Sequence, residues 1–111
     1  MLPIDDPLAP VYTVGQVADM LGVQPAFVRR LDTESVVQPA RSRGGQRRYS
    51  RADIVQVQQV WEMTGEGMTL AGIRRILALE AEVAELRSQL AKRGDDPSGS
   101  PLRSRKVSPG R

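Results

Sequence analysis

Two helix-breaking residues, Gly22 and Pro25, constrain the fold most strongly, because only short helices fit on either side of them. The string TVGQ, which begins at Thr13, predicts the start of the first helix, with Thr13 and Gln16 in a capping box. Gly22 suits a left-handed helix cap, and Pro25 suits the first position of a second helix, where its missing N–H costs nothing. Apolar residues at helical spacing predict the buried faces: Val14, Val17, Ala18 and Leu21 in the first helix, and Phe27, Val28 and Leu31 in the second.

Two short helices joined by a tight glycine-containing turn form a helix-turn-helix candidate. Any pair of packed short helices gives the same pattern, and on this segment alone that simpler interpretation is the commoner one. The residues that follow favour the more specific interpretation.

A basic stretch, RSRGGQRRYSR at residues 41–51, contains five arginines and no acidic residue. Short extended segments on both sides of Gly44 and Gly45 predict a small β-hairpin with a glycine-dependent turn. Pro39 limits its first strand to an edge. Because side chains alternate along a strand, the arginines cannot all face one way, and we expect some to pair with Asp32 or Glu34.

The positive charge is concentrated around this stretch. Residues 24–56 carry seven arginines against three acids, whereas the whole chain has a net charge of +3. A local surplus of this kind favours an anionic partner. The absence of cysteine and histidine removes thiolate ligands, the commonest metal ligand and the commonest general base. We therefore expect no catalytic residue, metal or cofactor. No signal peptide or membrane span is recognisable in the sequence either, so the expected location is cytoplasmic.

A third helix should begin at Ser50, which forms a second capping box with Asp53. Its predicted buried face comprises Ile54, Val57, Val60, Trp61 and Met63. The string TGEGM ends it, and Thr69 can cap a final helix.

The final helix carries a heptad seam, with apolar residues spaced 3, 4, 3 and 4 apart: Ile76, Leu79, Val83, Leu86 and Leu90. An amphipathic helix folded onto its own domain is the alternative. The seam is longer than a small domain can cover, which favours dimerisation. Residues 1–10 are expected to be a disordered leader, and residues 94–111 a disordered basic tail that adds affinity for a polyanion or solubility.

The segments TVGQVADMLGVQPAFVRRLD, RSRGGQRRYSRADI and EGMTLAGIRRIL together resemble the MerR family of bacterial transcription regulators, in particular its short heat-shock-repressor type. The resemblance covers about residues 11–90. It implies a mainly α fold: a winged helix-turn-helix DNA-binding domain at 11–68, whose wing is the small β-hairpin, followed by a long dimerisation helix (coiled coil) at 69–93. In the family, the recognition-helix arginine corresponds to Arg29, and the wing arginines to those around Gly44 and Gly45.

The expected DNA-binding residues lie on the first two helices and the wing. They are Thr13, Gln24, Ala26, Phe27, Arg29, Arg30, Arg41, Arg43, Gly44, Gly45, Gln46, Arg47, Arg48 and Tyr49. Within the wing, Arg47, Arg48 and Tyr49 are the foremost candidates, and the hydroxyls of Tyr49 and Ser50 could donate to phosphate oxygens.

Two residues depart from the family pattern: Leu31 stands where an aromatic residue is usual, and Ser35 where glycine is frequent. The family's metal-sensing cysteines and C-terminal ligand-binding domain are also missing, so a metal, redox or drug sensor is not expected.

The resulting prediction is a regulator that binds double-stranded DNA as a homodimer on an inverted-repeat operator. Repression is the expected outcome, with a chaperone as a co-regulator implied by the resemblance alone. An excisionase-like or architectural DNA-binding protein has the same chemistry. A chaperone-modulator adapter, which binds protein through a similar helical module, is the alternative from another class, and it has no need of an arginine-rich wing.

Overall fold

Four helices and one hairpin form residues 6–94, which are the residues that the structure, a computed structural model, describes. The elements are α1 (Val14–Leu21), α2 (Pro25–Thr33), β1 (Ala40–Arg41), β2 (Arg47–Arg48), α3 (Arg51–Gly65) and α4 (Leu70–Lys92). This confirms the predicted mainly α class with a small hairpin and a long last helix. The expectations for residues 1–5 and 95–111 lie outside the described residues.

The predicted helix starts are confirmed. The Gln16 N–H donates to the Thr13 hydroxyl at 3.1 Å, and the Thr13 N–H donates to the Gln16 side chain at 2.9 Å. Ser50 and Asp53 form the same reciprocal pair at α3. Each box satisfies helix N-terminal amides that have no partner inside the helix. Gly22 ends α1 with φ 68°, in the left-handed region that glycine adopts at little cost.

The hairpin is antiparallel and short, with Ala40 opposite Arg48 and Arg41 opposite Arg47. Its turn is closed by the Ser42 N–H, which donates to the Gln46 carbonyl at 2.8 Å. The first strand cannot extend back through Pro39, which has no N–H to donate.

A third extended segment, which the sequence did not predict, runs beside the hairpin. Tyr12 and Tyr49 exchange two backbone hydrogen bonds of 2.9 and 2.7 Å. The second strand of the hairpin is thereby attached to the chain that enters α1.

The chain divides into two units, one up to Arg75 and one from Ile76 onward. The core of the first unit draws residues from every helix and from the segments beside the hairpin. Its buried apolar side chains are Val17, Ala18, Val28, Leu31, Val36, Val37, Tyr49, Ile54, Val57, Val60, Leu70 and Ile73. The expected domain boundary, between residues 68 and 69, thus differs from the boundary between the units, because Leu70 and Ile73 of α4 complete the first core.

Trp61 is a correction to the predicted buried face of α3. Its side chain is 48% exposed, because it follows the fully buried Val60 by one position and therefore points about 100° away around the helix. The Trp61 ring meets the ring of Phe27 edge to face, with centroids 5.1 Å apart. Met63, also predicted to be buried, is partly exposed.

Residues 6–10, which were expected to belong to a disordered leader, form a turn in the structure. The Asp6 carboxylate accepts from the Leu8 N–H at 2.9 Å. The Pro7 carbonyl accepts from the Ala52 N–H at 3.0 Å, which satisfies one of the free amides in the first turn of α3. This part of the leader is tied to the first unit by backbone hydrogen bonds.

The second unit consists, within the described residues, of α4 from Ile76 onward and the turn that follows it. None of the helices between residues 6 and 94 is both long and apolar enough to cross a membrane.

Candidate nucleic-acid interface

A polar groove of about 420 Å³ opens on the first unit, where the start of α1, the middle of α2 and the hairpin meet. We call it the basic groove. It is lined by Thr13, Val14, Gly15, Arg29, Arg41, Gly45, Gln46, Arg47 and Arg48. The fold therefore gathers four arginines from separate parts of the sequence around one concavity, whose size and charge suit phosphate groups.

Arg29 is the arginine that α2 contributes to the basic groove. Its side chain is exposed and makes no hydrogen bond or ion pair with the described residues. Arg30, its neighbour, lies outside this groove and forms an exposed ion pair with Glu34, with Nε 2.8 Å from Oε2. Of the two arginines predicted on this helix, Arg29 is the one whose guanidinium is available in the groove.

Two arginines of the wing, the hairpin from Ala40 to Arg48, are held by a single carboxylate oxygen. Asp32 Oδ2 accepts from Arg41 Nη2 at 2.8 Å and from Arg47 Nε at 2.7 Å. The expectation that some wing arginines pair with Asp32 or Glu34 is confirmed for Asp32, while Glu34 takes Arg30 instead. Arg47, one of the foremost DNA-facing candidates, lines the basic groove but is a paired side chain that is only 25% exposed.

The other wing arginines have no carboxylate partner among the described residues. Arg48 donates to its neighbours, the Arg47 carbonyl at 3.0 Å and the Gln46 side chain at 3.2 Å, so its charge is not neutralised. Arg43 lies exposed in the turn beside the exposed Gly44, and no hydrogen bond or ion pair connects it to the described residues. Gly45 has φ 81°, a conformation that demands glycine and brings bare backbone to the tip of the wing.

Tyr49 is the clearest correction to the predicted site. Its side chain is fully buried, and its hydroxyl has no hydrogen-bond partner among the described residues. Burial raises the pKa of Tyr49 to about 12, and the negative charge of Asp32 adds to the rise, while Arg47 and Arg41 oppose it. Because the backbone pairing with Tyr12 turns this ring into the core, Tyr49 anchors the wing and does not present its hydroxyl to a phosphate.

Ser50 is corrected in the same way, since it is buried and its hydroxyl caps α3. The remaining predicted residues lie at the start of α2: Gln24 and Ala26 are exposed, and Phe27 is partly buried against Trp61. The prediction missed Val14 and Gly15, which follow the α1 cap and line the basic groove. Their position between Thr13 and Gln16, in the first turn of α1, was the available signal, because a helix N-terminus favours anions.

The second unit carries a different surface, an apolar groove of about 420 Å³. It is lined by Ile76, Leu79, Glu80, Val83, Ala84 and Arg87. Leu79, Val83 and Leu86 of the predicted seam are 53%, 45% and 52% exposed, and Ile76 and Leu90 are partly exposed. Apolar side chains in such a row cost free energy in water unless another surface covers them.

Comparison with known proteins gives a consistent picture. Residues 12–80 match the model of the MerR HTH family regulatory protein. The heat shock protein HspR of Streptomyces coelicolor is 42% identical over 84 residues, which cover 75% of this chain and 56% of that protein. The transcriptional regulator GlnR of Bacillus anthracis is 25% identical over 77 residues, which cover 69% and 60%. The chain thus spans between half and two thirds of the length of these relatives.

Two solved structures are similar to the fold. The N-terminal part of MtaN, the multidrug transporter activator of Bacillus subtilis, has a TM-score of 0.56 at 27% identity, and the match covers 75% of this chain and 88% of that one. A MerR family transcriptional regulator from Bacillus cereus has a TM-score of 0.54 at 18% identity over 87% of both chains, which supports the fold alone.

Proposed function

Because the chain belongs to the MerR family of helix-turn-helix regulators, we propose that it acts as a homodimer that grips an inverted-repeat operator and represses transcription. A DNA-binding role in the regulation of transcription is the part of this proposal that the family match and the regulators GlnR and MtaN support. Regulators of this family bind double-stranded DNA and function as dimers.

The basic groove is the observation that carries the DNA-binding part of the proposal. Arg29 offers a guanidinium without an ion-pair partner among residues 6–94, and it lies on the second helix of a helix-turn-helix, the element that enters the major groove in such motifs. Guanidinium is the side-chain group best matched to the acceptor edge of guanine and to phosphate. The wing, with Arg43 and Arg48 free of carboxylate partners among the described residues, would lie against the neighbouring backbone.

The exposed seam supports the homodimer. Two copies of α4 packed along Leu79, Val83 and Leu86 would cover the apolar groove of each copy. A dimer with two recognition helices is the arrangement that an inverted repeat requires, since its symmetry mirrors that of the protein. Repression, a chaperone co-regulator and nucleoid association rest on the family resemblance and stay predictions.

Salt dependence of binding tests this function directly. If a dimer engages about 6–10 phosphates, its affinity for a DNA duplex should fall by roughly 10³–10⁵ between 50 and 200 mM salt. Binding that hardly changes over this range would contradict the proposed interface. Mapping the bound sites on genomic DNA would then test repression, because an operator that overlaps promoter elements blocks the polymerase.

Arg29→Ala separates the roles within the site. Loss of a base contact should cost about 1–3 kcal/mol of discrimination at one position of the operator. Arg43→Ala, the matched variant on the wing, should weaken binding to all sequences alike and flatten the salt dependence. If both variants changed sequence selectivity equally, the assignment of base contacts to Arg29 and of backbone contacts to Arg43 would be wrong.

A further inference from the structure

One carboxylate oxygen joins the recognition helix to both strands of the wing. Asp32, next to the last residue of α2, accepts from Arg41 on β1 and from Arg47 on β2 through the same Oδ2 atom, at 2.8 and 2.7 Å. Arg41 and Arg47 are opposite each other in the hairpin register, so their side chains lie on the same face. The hairpin cannot slide along α2 without breaking both ion pairs.

The position of this junction connects it to Arg29. Asp32 follows Arg29 by three residues, and residues at this spacing are neighbours on one face of a helix. Arg29, Arg41 and Arg47 all line the basic groove. The distance between the guanidinium of Arg29 and the backbone of the wing is therefore set across a single helical turn by the Asp32 carboxylate.

The junction also lowers the charge of the wing. The Asp32 side chain is only 12% exposed, and a pair that is partly buried is screened by salt less than a surface pair. Two guanidiniums that share one carboxylate carry a summed charge of +1, so they attract phosphates less than two free arginines would. Asp32 thus weakens the attraction of the wing for DNA of any sequence, while no ion pair joins it to Arg29.

From these observations we propose that Asp32 is a positioning residue that sets the sequence selectivity of DNA binding, by aligning the wing with Arg29 and by neutralising part of its charge. The proposal rests on the proposed function, since it assumes that the basic groove binds DNA. It assigns to an acidic residue, which makes no favourable contact with a phosphate, a decisive part in selecting DNA.

Asp32→Asn in the full chain tests the proposal, because asparagine keeps the size of the side chain and removes its charge. Two probes are needed: a pool of random-sequence duplexes, and the duplexes that the unaltered protein enriches from that pool. For the random pool, the plot of log affinity against log salt should steepen by about 0.9 for each phosphate that a released arginine gains. The ratio of the two affinities should fall about fivefold or more, which corresponds to the loss of one base contact.

Glu34→Gln is the matched control. It breaks the Arg30–Glu34 pair, also 2.8 Å long and also on α2, which does not involve the wing. The affinity ratio of this variant should stay close to that of the unaltered protein. The proposal would be overturned if Glu34→Gln lowered the affinity ratio as much as Asp32→Asn does. It would also be overturned if Asp32→Asn changed neither the affinity ratio nor the salt slope.

Circular dichroism would reveal whether Asp32→Asn folds. If it does not fold, a second pair of variants still tests the proposal. Arg41→Gln and Arg43→Gln remove one wing arginine each, two positions apart, but only Arg41 is paired with Asp32. Arg43→Gln should flatten the salt slope more than Arg41→Gln does, and equal flattening would overturn the proposal. If the unaltered protein binds neither probe at low salt, the proposed function itself fails, which is a result distinct from all of these.

Discussion

The two units of the chain differ in how far their apolar side chains are buried. One unit extends to Arg75 and the other begins at Ile76, and both contain similar apolar residues. In the first unit, Val28, Leu31 and Ile73 are fully buried by other residues of the same chain. In the second, Leu79, Val83 and Leu86 remain about half exposed. The first unit buries its own core. The seam of the second unit stays partly exposed to solvent within the described residues.

The periodicity of apolar residues along α4 therefore does not show which surface covers them. Leu70 and Ile73 continue into the seam with the same helical spacing, and yet they belong to the core of the first unit. If the seam is covered by a second copy, substitutions in the two regions should be separable. Changes in the first unit should alter the unfolding of each chain, and changes in the seam should alter association.

Ile73→Ala should have the largest effect on the first unit. Removal of a fully buried branched side chain leaves a cavity and should lower the free energy of unfolding by about 2–5 kcal/mol. Urea denaturation followed by circular dichroism measures this loss. Arg75→Ala, at an exposed position of the same helix, should change the stability by no more than about 0.5 kcal/mol. Equal effects of the two variants would mean that α4 does not complete this core.

Leu86→Lys should act on the seam. A dimer would lose the burial of two half-exposed leucines and gain two charges, a cost of about 2–3 kcal/mol, which raises the dissociation constant on the order of 30- to 150-fold. Sedimentation over a range of protein concentrations measures this change. Ser88→Lys adds the same charge to the exposed helix outside the seam and should leave the association unchanged. A Leu86→Lys variant that dimerises as tightly as the unaltered chain would show that the seam is assigned to the wrong residues.

Tyr49→Phe should alter the alkaline stability of the first unit. Since its pKa is raised to about 12 from the ordinary 10.0, the neutral phenol is favoured in the folded chain. The resulting stabilisation is complete below about pH 10 and is lost as the pH rises towards 12, on the order of 2 kcal/mol. The phenylalanine variant should lack this loss. At pH 7 it should be at least as stable as the unaltered protein and bind DNA equally well, because the buried hydroxyl has no partner among residues 6–94.

If Tyr49→Phe weakened DNA binding at neutral pH while the fold remained intact, the hydroxyl would reach the phosphate after all. The correction made to the site would then be wrong.

Ser35→Gly should have the smallest effect. Ser35 has φ 60°, in the left-handed region that costs an L-residue roughly 1–2 kcal/mol, whereas glycine enters it freely. Glycine also loses more chain entropy on folding, so the net gain in the free energy of unfolding should be about 1 kcal/mol or less. Thermal unfolding measures the gain, and it should appear at every protein concentration, as expected for a change confined to the first unit. A clear loss of stability would contradict this account of the turn after α2.

Much of the fold could be predicted because its signals are local. The capping boxes at Thr13 and Ser50, the left-handed Gly22 and the turn at Gly45 each depend on residues within four positions along the chain. The seam was equally visible, since spacing alone defines it. The positive φ at Ser35 also agrees with the family's frequent glycine at that position.

The site was harder to predict, because it depends on which way side chains point. Tyr49 and Arg47 are close in the same basic stretch, but the pairing with Tyr12, 37 positions away from Tyr49, turns the ring inward. Asp32 forms an ion pair with Arg47, which lies 15 positions further along the sequence. The charge pattern narrowed the partner of the wing arginines to Asp32 or Glu34 but did not choose between them, and it gave no sign of Tyr12.

The set of elements and the surplus of arginine around the hairpin therefore follow from the sequence alone, because hydrogen bonds within a few residues and net charge do not depend on the distant chain. Which arginines face outward depends on how the elements pack. Packing of the hairpin against α2 and the segment before α1 buried Tyr49, joined Arg41 and Arg47 to Asp32, and left Arg29 and Arg43 free of ion pairs with the described residues. A carboxylate selects its partners by distance in space, and that distance exists only once the chain has folded.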